Sequence, residues 1–263
     1  MKAIILAAGE GKRLRPLTEK LPKSMIKIFG KILLQIQIET MRKCGINEII
    51  VVTGYKSDLI NIPNLTYENN PDFKNTNMVE TLFCAKDHLD GEIIVSYADI
   101  IYERNILKKL IDTENDFSII IDKNWKSFWE KRFDEPLNDA ETLKINSDGN
   151  ISEIGQKTKN ISEIEGQYIG LMKFSSNGTK ILREFYDKCK NNSENEKNPL
   201  NQKIPFKKSY MTDLLQGLIN ESFQLKPVFV EGGWIELDSI DDFKLYNKLF
   251  DEDNLKQLID LDE

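Results

Sequence analysis

Residues 6–25 read LAAGEGKRLRPLTEKLPKSM, a glycine-rich turn followed by a run of cations and prolines. The segment before it, Lys2 to Leu6, is β-rich and apolar after Lys2, so Gly9 and Gly11 follow a strand expected to be buried on both faces. A chain without side chains at that point can wrap closely round a phosphate and aim its backbone N–H groups at it. Cations follow at Lys12, Arg13, Arg15 and, just after Pro22, Lys23. Two commoner phosphate loops do not fit. A dinucleotide fingerprint needs a third glycine where Leu14 stands, and a P-loop needs Gly-Lys-Ser/Thr where Leu14, Arg15 and Pro16 stand. A bare Gly-x-Gly after a strand reads equally well as a tight turn, and it is the cations and prolines that favour an anion site.

Outward from this loop, strand-like runs alternate with helical patterns. A helix near Leu33 to Lys43 is followed by a strand Glu48 to Thr53, a helix Met78 to His88 and a strand Glu92 to Tyr97. Such alternation predicts a largely parallel sheet with helices on both faces. After Phe117 to Asp122 the pattern turns antiparallel: ETLKI and ISEIG are separated by Asn146 to Asn150, a strong turn signal. A helix Gly178 to Lys190 leads into NNSENEKNPLNQK, residues 191–203, a polar stretch expected to be weakly ordered. The remainder reads as a helix Met211 to Asn220, a strand Pro227 to Glu231, the segment GGWIELDS and a closing helix from about Ile240. Residues 1–250 are expected to form a single domain and 251–263 an acidic tail.

Composition narrows the function classes. The chain of 263 residues carries a formal net charge of −7, which argues against a nucleic-acid surface, so an anionic ligand must be held by local cations. No apolar run approaches the ~18 residues of a membrane span, and MKAIILAAG lacks the features of a secretory signal. The three cysteines are widely spaced and form no CxxC motif, as in a reduced, cytoplasmic protein.

Residues 6–25 resemble the signature of the nucleoside triphosphate transferases, LAAGxGxRLxPxTxxxPKxM, matching every fixed position. The resemblance covers Met1 to about Leu249. It implies an α/β fold, a three-layer Rossmann-like sandwich around a mixed, mostly parallel sheet, with a small antiparallel subregion on the acceptor side. Residues 1–122 would be the nucleotide half and 123–250 the acceptor half. The resemblance implies that Leu6, Ala7, Ala8, Gly9, Glu10 and Gly11 hold the triphosphate, and that Arg13 and Lys23 act catalytically on phosphates around the transferred α-phosphorus. It further implies that Asp99, Glu236 and Asp238 bind Mg2+. Asp99 stands at the carboxyl end of a strand, where ligands collect in open α/β sheets, although alone it reads equally as a helix cap. Glu236 and Asp238 alternate to one side with Trp234, which alone suits a solvated strand face.

TGYKS from Thr53 and KNTNMVETLFCAKD from Lys74 resemble the nucleotide-side segments of cytidylyltransferases for phosphocholine, phosphonates and phosphoglutamine. This implies CTP contacts from Gly54, Tyr55, Asn75, Thr76, Asn77 and Ala98, while Asn75 to Asn77 also read as a helix-capping cluster. IDKNWKSFWEKRF, DAETLKI, EIGQK and IEGQYIGLMKF resemble the phosphonate and phosphoglutamine enzymes more than the sugar enzymes. The acceptor's phosphate would meet Lys123, Arg132 and Lys157, its ammonium Asp139, Glu141 and Glu165, with Tyr168 on the same wall. Trp125 and Trp129, spaced i, i+4, present both rings on one helical face, either to the acceptor or to the sheet. With Tyr168 they make no convincing cage for a quaternary ammonium, which places phosphocholine behind acceptors with a primary amine or a phosphonate. His88, on an expected helix, reads as a surface or core residue. The implied reaction is CMP transfer from CTP to a small non-sugar phosphate or phosphonate, releasing pyrophosphate. The alternatives are a sugar 1-phosphate nucleotidylyltransferase and an inactive regulatory subunit; monomer and homodimer both stay open.

Overall fold

The strand segments are apolar on both faces because both faces are covered. The computed structural model describes residues 1–193 and 197–261. In chain order the elements are β1 (Lys2–Ala7), β2 (Lys27–Ile28), β3 (Lys31–Ile32), α1 (Leu33–Lys43), β4 (Glu48–Thr53), β5 (Thr66–Asn69), α2 (Met78–Cys84), β6 (Ile93–Tyr97), β7 (Ile100–Tyr102) and α3 (Arg104–Ile111). There follow β8 (Phe117–Asp122), α4 (Trp125–Arg132), β9 (Glu141–Ile145), β10 (Ile151–Lys157), β11 (Gln167–Phe174), α5 (Ser176–Ser193), α6 (Met211–Asn220), β12 (Leu225–Val230), β13 (Trp234–Glu236) and α7 (Ile240–Asp251).

The main sheet runs β12-β8-β11-β6-β1-β4-β5. Its pairs are parallel except those of β11, which lies antiparallel to both β6 and β8. Side chains alternate between two cores: Ala3, Ile5 and Ala7 of β1 enter one, with α1, α3, α4 and α7, and Ile4 and Leu6 enter the other, with α2, α5 and α6. That is the expected three-layer sandwich. Each fully buried Ile in it contributes roughly 1.5–3 kcal/mol through burial. The antiparallel ribbon β9–β10 is where the turn signal put it, and a second ribbon, β7–β13, sets Glu236 opposite Ile100. From β1 the chain builds β4 and β5 on one side, then crosses back to β6 on the other. The carboxyl ends of β1 and β6 therefore flank a crevice at the point where the strand order reverses, the usual place for a ligand in such sheets.

Several local expectations change. The helix expected through His88 stops at Cys84 and is followed by a tight 3-10 turn. Of the polar stretch 191–203, residues 191–193 end α5 and residues 194–196 lie outside the described residues, while Asn198 is buried, donating to Ile204 O at 3.2 Å and Ser209 Oγ at 2.9 Å. Asn198 and Asn201 close their own turns, their side-chain oxygens accepting from Leu200 N at 2.9 Å and Lys203 N at 3.1 Å. Among the described residues of the acidic tail, Leu255, Leu258 and Ile259 are buried and Leu258 O accepts from Gly233 N at 3.1 Å. Trp125 and Trp129 are buried, Trp129 packing against Phe128 and Trp234 and Trp125 edge-on against Trp129, so the i, i+4 pair faces the core. Among the described residues no helix is long and apolar enough to cross a membrane.

Candidate active site

The glycine loop is held from behind and left open in front. Gly11 has φ +61°, and a Cβ there would sit 3.0 Å from Lys23 Cβ, so a side chain would be both strained and crowded. Its carbonyl accepts from Thr18 Oγ1 at 2.8 Å and from Leu14 N at 2.9 Å, which closes the turn. Gly54 lies so close that a Cβ would meet Ala8 O at 2.9 Å, and next to it Tyr55 N donates to Ala8 O at 3.0 Å. Tyr55 Oη also donates to Thr18 O at 3.0 Å. Gly54 and Tyr55 thus brace the loop from behind and are not among the residues that line the cavity. Gly9 has nothing within 4 Å of its would-be Cβ, which leaves that face free for a ligand.

A cavity of about 320 Å³ opens there, within the range of small-molecule sites. Of the expected residues, Leu6, Ala7, Ala8, Gly9, Gly11, Arg13, Lys23, Thr76, Asn77, Ala98, Asp99 and Asp238 line it. Lys12, one of the loop cations, lines it too, and Ser24, Phe73, Met78, Thr81 and Tyr97 do so without having been foreseen. Phe73 had a signal, being the one aromatic in the polar run ENNPDFKNTN. Glu10 pairs with Lys12 at 3.0 Å, and Asn75 bonds Asp72 Oδ1 at 2.6 Å; neither lines the cavity. Asn77 caps α2, its side chain accepting from Met78 N at 2.9 Å, so the capping reading and the cavity-facing one hold together.

Charge is concentrated at one point. Lys23 Nζ donates to Asp99 Oδ2 at 2.7 Å and to Asp238 Oδ1 at 2.8 Å, and Arg13 pairs with the other Asp238 oxygen. Burial alone would lower the Lys23 pKa, but Asp99 and Asp238, with Glu236 behind them, overcome it and hold the ammonium above lysine's usual range. Burial would raise Asp238, yet Lys23 and Arg13 keep its carboxyl below the usual range. The turn carrying Asp99 is pinned by Gln37 of α1, whose amide donates to Tyr97 O and Ile100 O, and by Leu237 N donating to Asp99 O at 2.8 Å. Gln37 was legible only as a polar residue in the apolar run LLQIQIE.

Two carboxylates with hard oxygen donors suit Mg2+, which takes one or two carboxylates and fills its shell with phosphate oxygens and water. Asp99 Oδ1 is buried without a partner, a donor available for such an ion. Glu236, expected as a third ligand, has one carboxylate oxygen held by Arg132 Nη1 at 2.9 Å and is not among the residues that line the cavity. Among the described residues no group of three acidic, His or Cys side chains could hold a metal. The pair Asp99 and Asp238 is the set that fits.

On the acceptor side the expected cluster divides. Arg132 is buried between Asp242 and Glu236, which takes its guanidinium out of reach of an acceptor. Lys123 lies over the Phe229 ring at the sheet edge, and Glu165 accepts from Ile145 N at 2.8 Å at the far end of β9. Both lie off the cavity lining. Asp139, Glu141 and Lys157 do come together: Lys157 Nζ donates to Asp139 O at 2.9 Å and stands 3.9 Å from Glu141. Burial pushes Glu141 up to about 7 against the pull of Lys157. Tyr168 packs edge-on to the cavity-lining Tyr97 at 5.7 Å, and Tyr97 lies in the field of Glu141. His88 bonds Glu68 at 2.9 Å, away from the site.

Comparison with known proteins agrees with this geometry. Residues 2–127 match the family model described as nucleotidyl transferase. A curated relative from Campylobacter jejuni subsp. jejuni serotype O:2, CTP:phosphoglutamine cytidylyltransferase, is 40% identical over 256 residues, which span 93% of this chain and 98% of the relative. The solved CTP:phosphocholine cytidylyltransferase from Streptococcus pneumoniae superposes with TM-score 0.72 at 23% identity, covering 95% of this chain and 98% of its own. The inositol-1-phosphate CTP transferase from T. maritima does so with TM-score 0.71 at 18% identity, covering 98% and 97%. These two likenesses are of fold. From the glycine loop, the paired acids and the near full-length likeness to a cytidylyltransferase, the chain belongs to the nucleotidyl transferase family.

Proposed function

We propose that the chain transfers CMP from CTP to a small non-sugar phosphate or phosphonate, releasing pyrophosphate, with Mg2+ as cofactor. The observation that carries this reading is the Lys23 ammonium held between Asp99 and Asp238 at the open face of the glycine loop. The choice of CTP and of an acceptor of the phosphoglutamine kind is supported by the 40% identity with an enzyme of that name.

Backbone N–H groups of the loop would cradle the triphosphate, with Arg13 alongside. A phosphate acceptor is already ionised near neutral pH, its second pKa being about 6, so no base is required. Its oxygen bonds to the α-phosphorus, the bond from that phosphorus to the bridging oxygen breaks, and pyrophosphate leaves with the electron pair. Lys23 and Arg13 neutralise charge that grows at the α-phosphoryl oxygens and the leaving group. Asp99 and Asp238 would hold Mg2+, which when bound supplies Lewis-acid charge to the phosphate oxygens. Lys157 and the acids Asp139 and Glu141 suit an acceptor carrying an anion and an ammonium.

Product analysis by phosphorus NMR tests the reaction type. With CTP, Mg2+ and an aminoethylphosphonate or phosphoglutamine acceptor, the expected products are pyrophosphate and the cytidylylated acceptor, and a chelator should abolish both. Formation of CMP with a pyrophosphorylated acceptor would place the attack at the wrong phosphorus and sink the proposal.

A further inference from the structure

The turn that carries Asp238 is fixed by a group from a distant helix. Backbone N–H groups of Asp238 and Ser239 both donate to Asp242 Oδ2, at 3.1 and 2.8 Å, and Asp242 N donates to Ser239 Oγ at 3.1 Å. A capping box at the start of α7 accounts for the Ser239 half of this arrangement. It does not account for Arg132. That residue ends α4 and donates Nε and Nη2 to the two Asp242 oxygens at 2.8 and 3.1 Å, and Nη1 to Glu236 Oε2 at 2.9 Å. The Arg132 and Asp242 side chains are 1% and 3% exposed, and the rings of Phe128, Trp129 and Phe133 surround the guanidinium at 5.2, 5.6 and 5.0 Å.

A planar fork shared between two carboxylates fixes both at once, which a lysine's point charge does not. Buried pairs of this sort add little stability over well-packed apolar residues, so stability alone is a poor reason for one here. Its two acids bracket Asp238 in the sequence, and one of them accepts from the Asp238 backbone. Resting on the nucleotidyl-transfer reading above, we infer that Arg132 is a positioning residue for the metal-binding acid Asp238. It acts through Asp242 and touches no substrate. The same guanidinium occupies Glu236, leaving Asp99 and Asp238 as the pair that faces the ion.

The test is the Mg2+ dependence of nucleotide binding, measured by calorimetry on the full chain with a non-reacting CTP analogue, together with the melting temperature. Arg132→Lys keeps the charge and loses the fork. Asp242→Asn keeps the shape and an acceptor for the Asp238 and Ser239 N–H groups, and carries the test where Arg132→Lys does not fold. Both are expected to raise the half-saturating Mg2+ concentration about tenfold or more, and to leave analogue affinity without Mg2+ unchanged. A lowered melting temperature with half-saturating Mg2+ equal to wild type would mean a merely structural role and overturn the inference. Wild-type protein that binds the analogue equally with and without Mg2+ would instead overturn the nucleotidyl-transfer reading.

Discussion

The glycine loop and the end of α4 use positive charge in opposite ways. On the nucleotide side Lys12 and Arg13 expose 71% and 63% of their side chains, and Lys23 lines the cavity itself. On the acceptor side Arg132 is enclosed between two carboxylates and three rings, and Lys123 rests on Phe229. Residue types that look alike in the sequence have therefore been given different work: cations that the fold leaves facing a cavity are available to a ligand, and those it encloses shape the wall. Substitutions should separate the two groups by what they damage.

The largest effect is expected from Lys23→Ala. Turnover should fall roughly 10²–10³-fold with a smaller change in the Michaelis constant for CTP, since the charge is most useful in the transition state. Steady-state kinetics decides it; unchanged turnover with only a raised Michaelis constant would show that Lys23 merely binds. Arg132→Ala should damage the fold instead, removing about 3–5 kcal/mol in a denaturant titration because it strands Asp242 and Glu236. A variant as stable as wild type would erase the contrast between the two sides.

Much of the nucleotide side was legible because its constraints are local. A buried strand, two glycines, the cations and Pro22 all fall within residues 2–25, and Asp99 follows the next central strand directly. The Arg132 pairing was not legible, since it depends on which face of α4 meets the core, and the i, i+4 spacing of Trp125 and Trp129 fits either choice. The partner of Glu236 was not legible for a related reason: strand alternation gives its side, and only the β7–β13 ribbon and α4 supply its partner. The tail did carry a signal. Leu255, Leu258 and Ile259 are spaced i, i+3, i+4, an apolar face that the acidic composition obscured.

A smaller effect concerns pH and the acceptor cluster. Glu141 has its folded-state pKa raised from 4.5 to about 7, mainly by burial and further by Asp139 and Asp213. Between those values the folded chain keeps a proton that the unfolded chain has lost, so this group's contribution to stability falls as pH rises through the window. Glu141→Gln should lose less stability than wild type between about pH 5 and about pH 8. Equal losses in denaturation series at the two pH values would remove Glu141 as the cause. Smallest of all, Tyr55→Phe deletes one hydrogen bond behind the glycine loop and should cost about 1 kcal/mol in stability. A loss of turnover approaching that of Lys23→Ala would mean that Tyr55 reaches the nucleotide after all.

Substrate preference tests the central claim most directly. The ratio of kcat/KM for CTP with an amino-bearing phosphonate or phosphoglutamine acceptor to that for UTP or dTTP with glucose 1-phosphate is expected to be about tenfold or more, a modest demand for a site that pairs charged groups. Comparable values for the two reactions, or a preference for the sugar phosphate, would contradict the account.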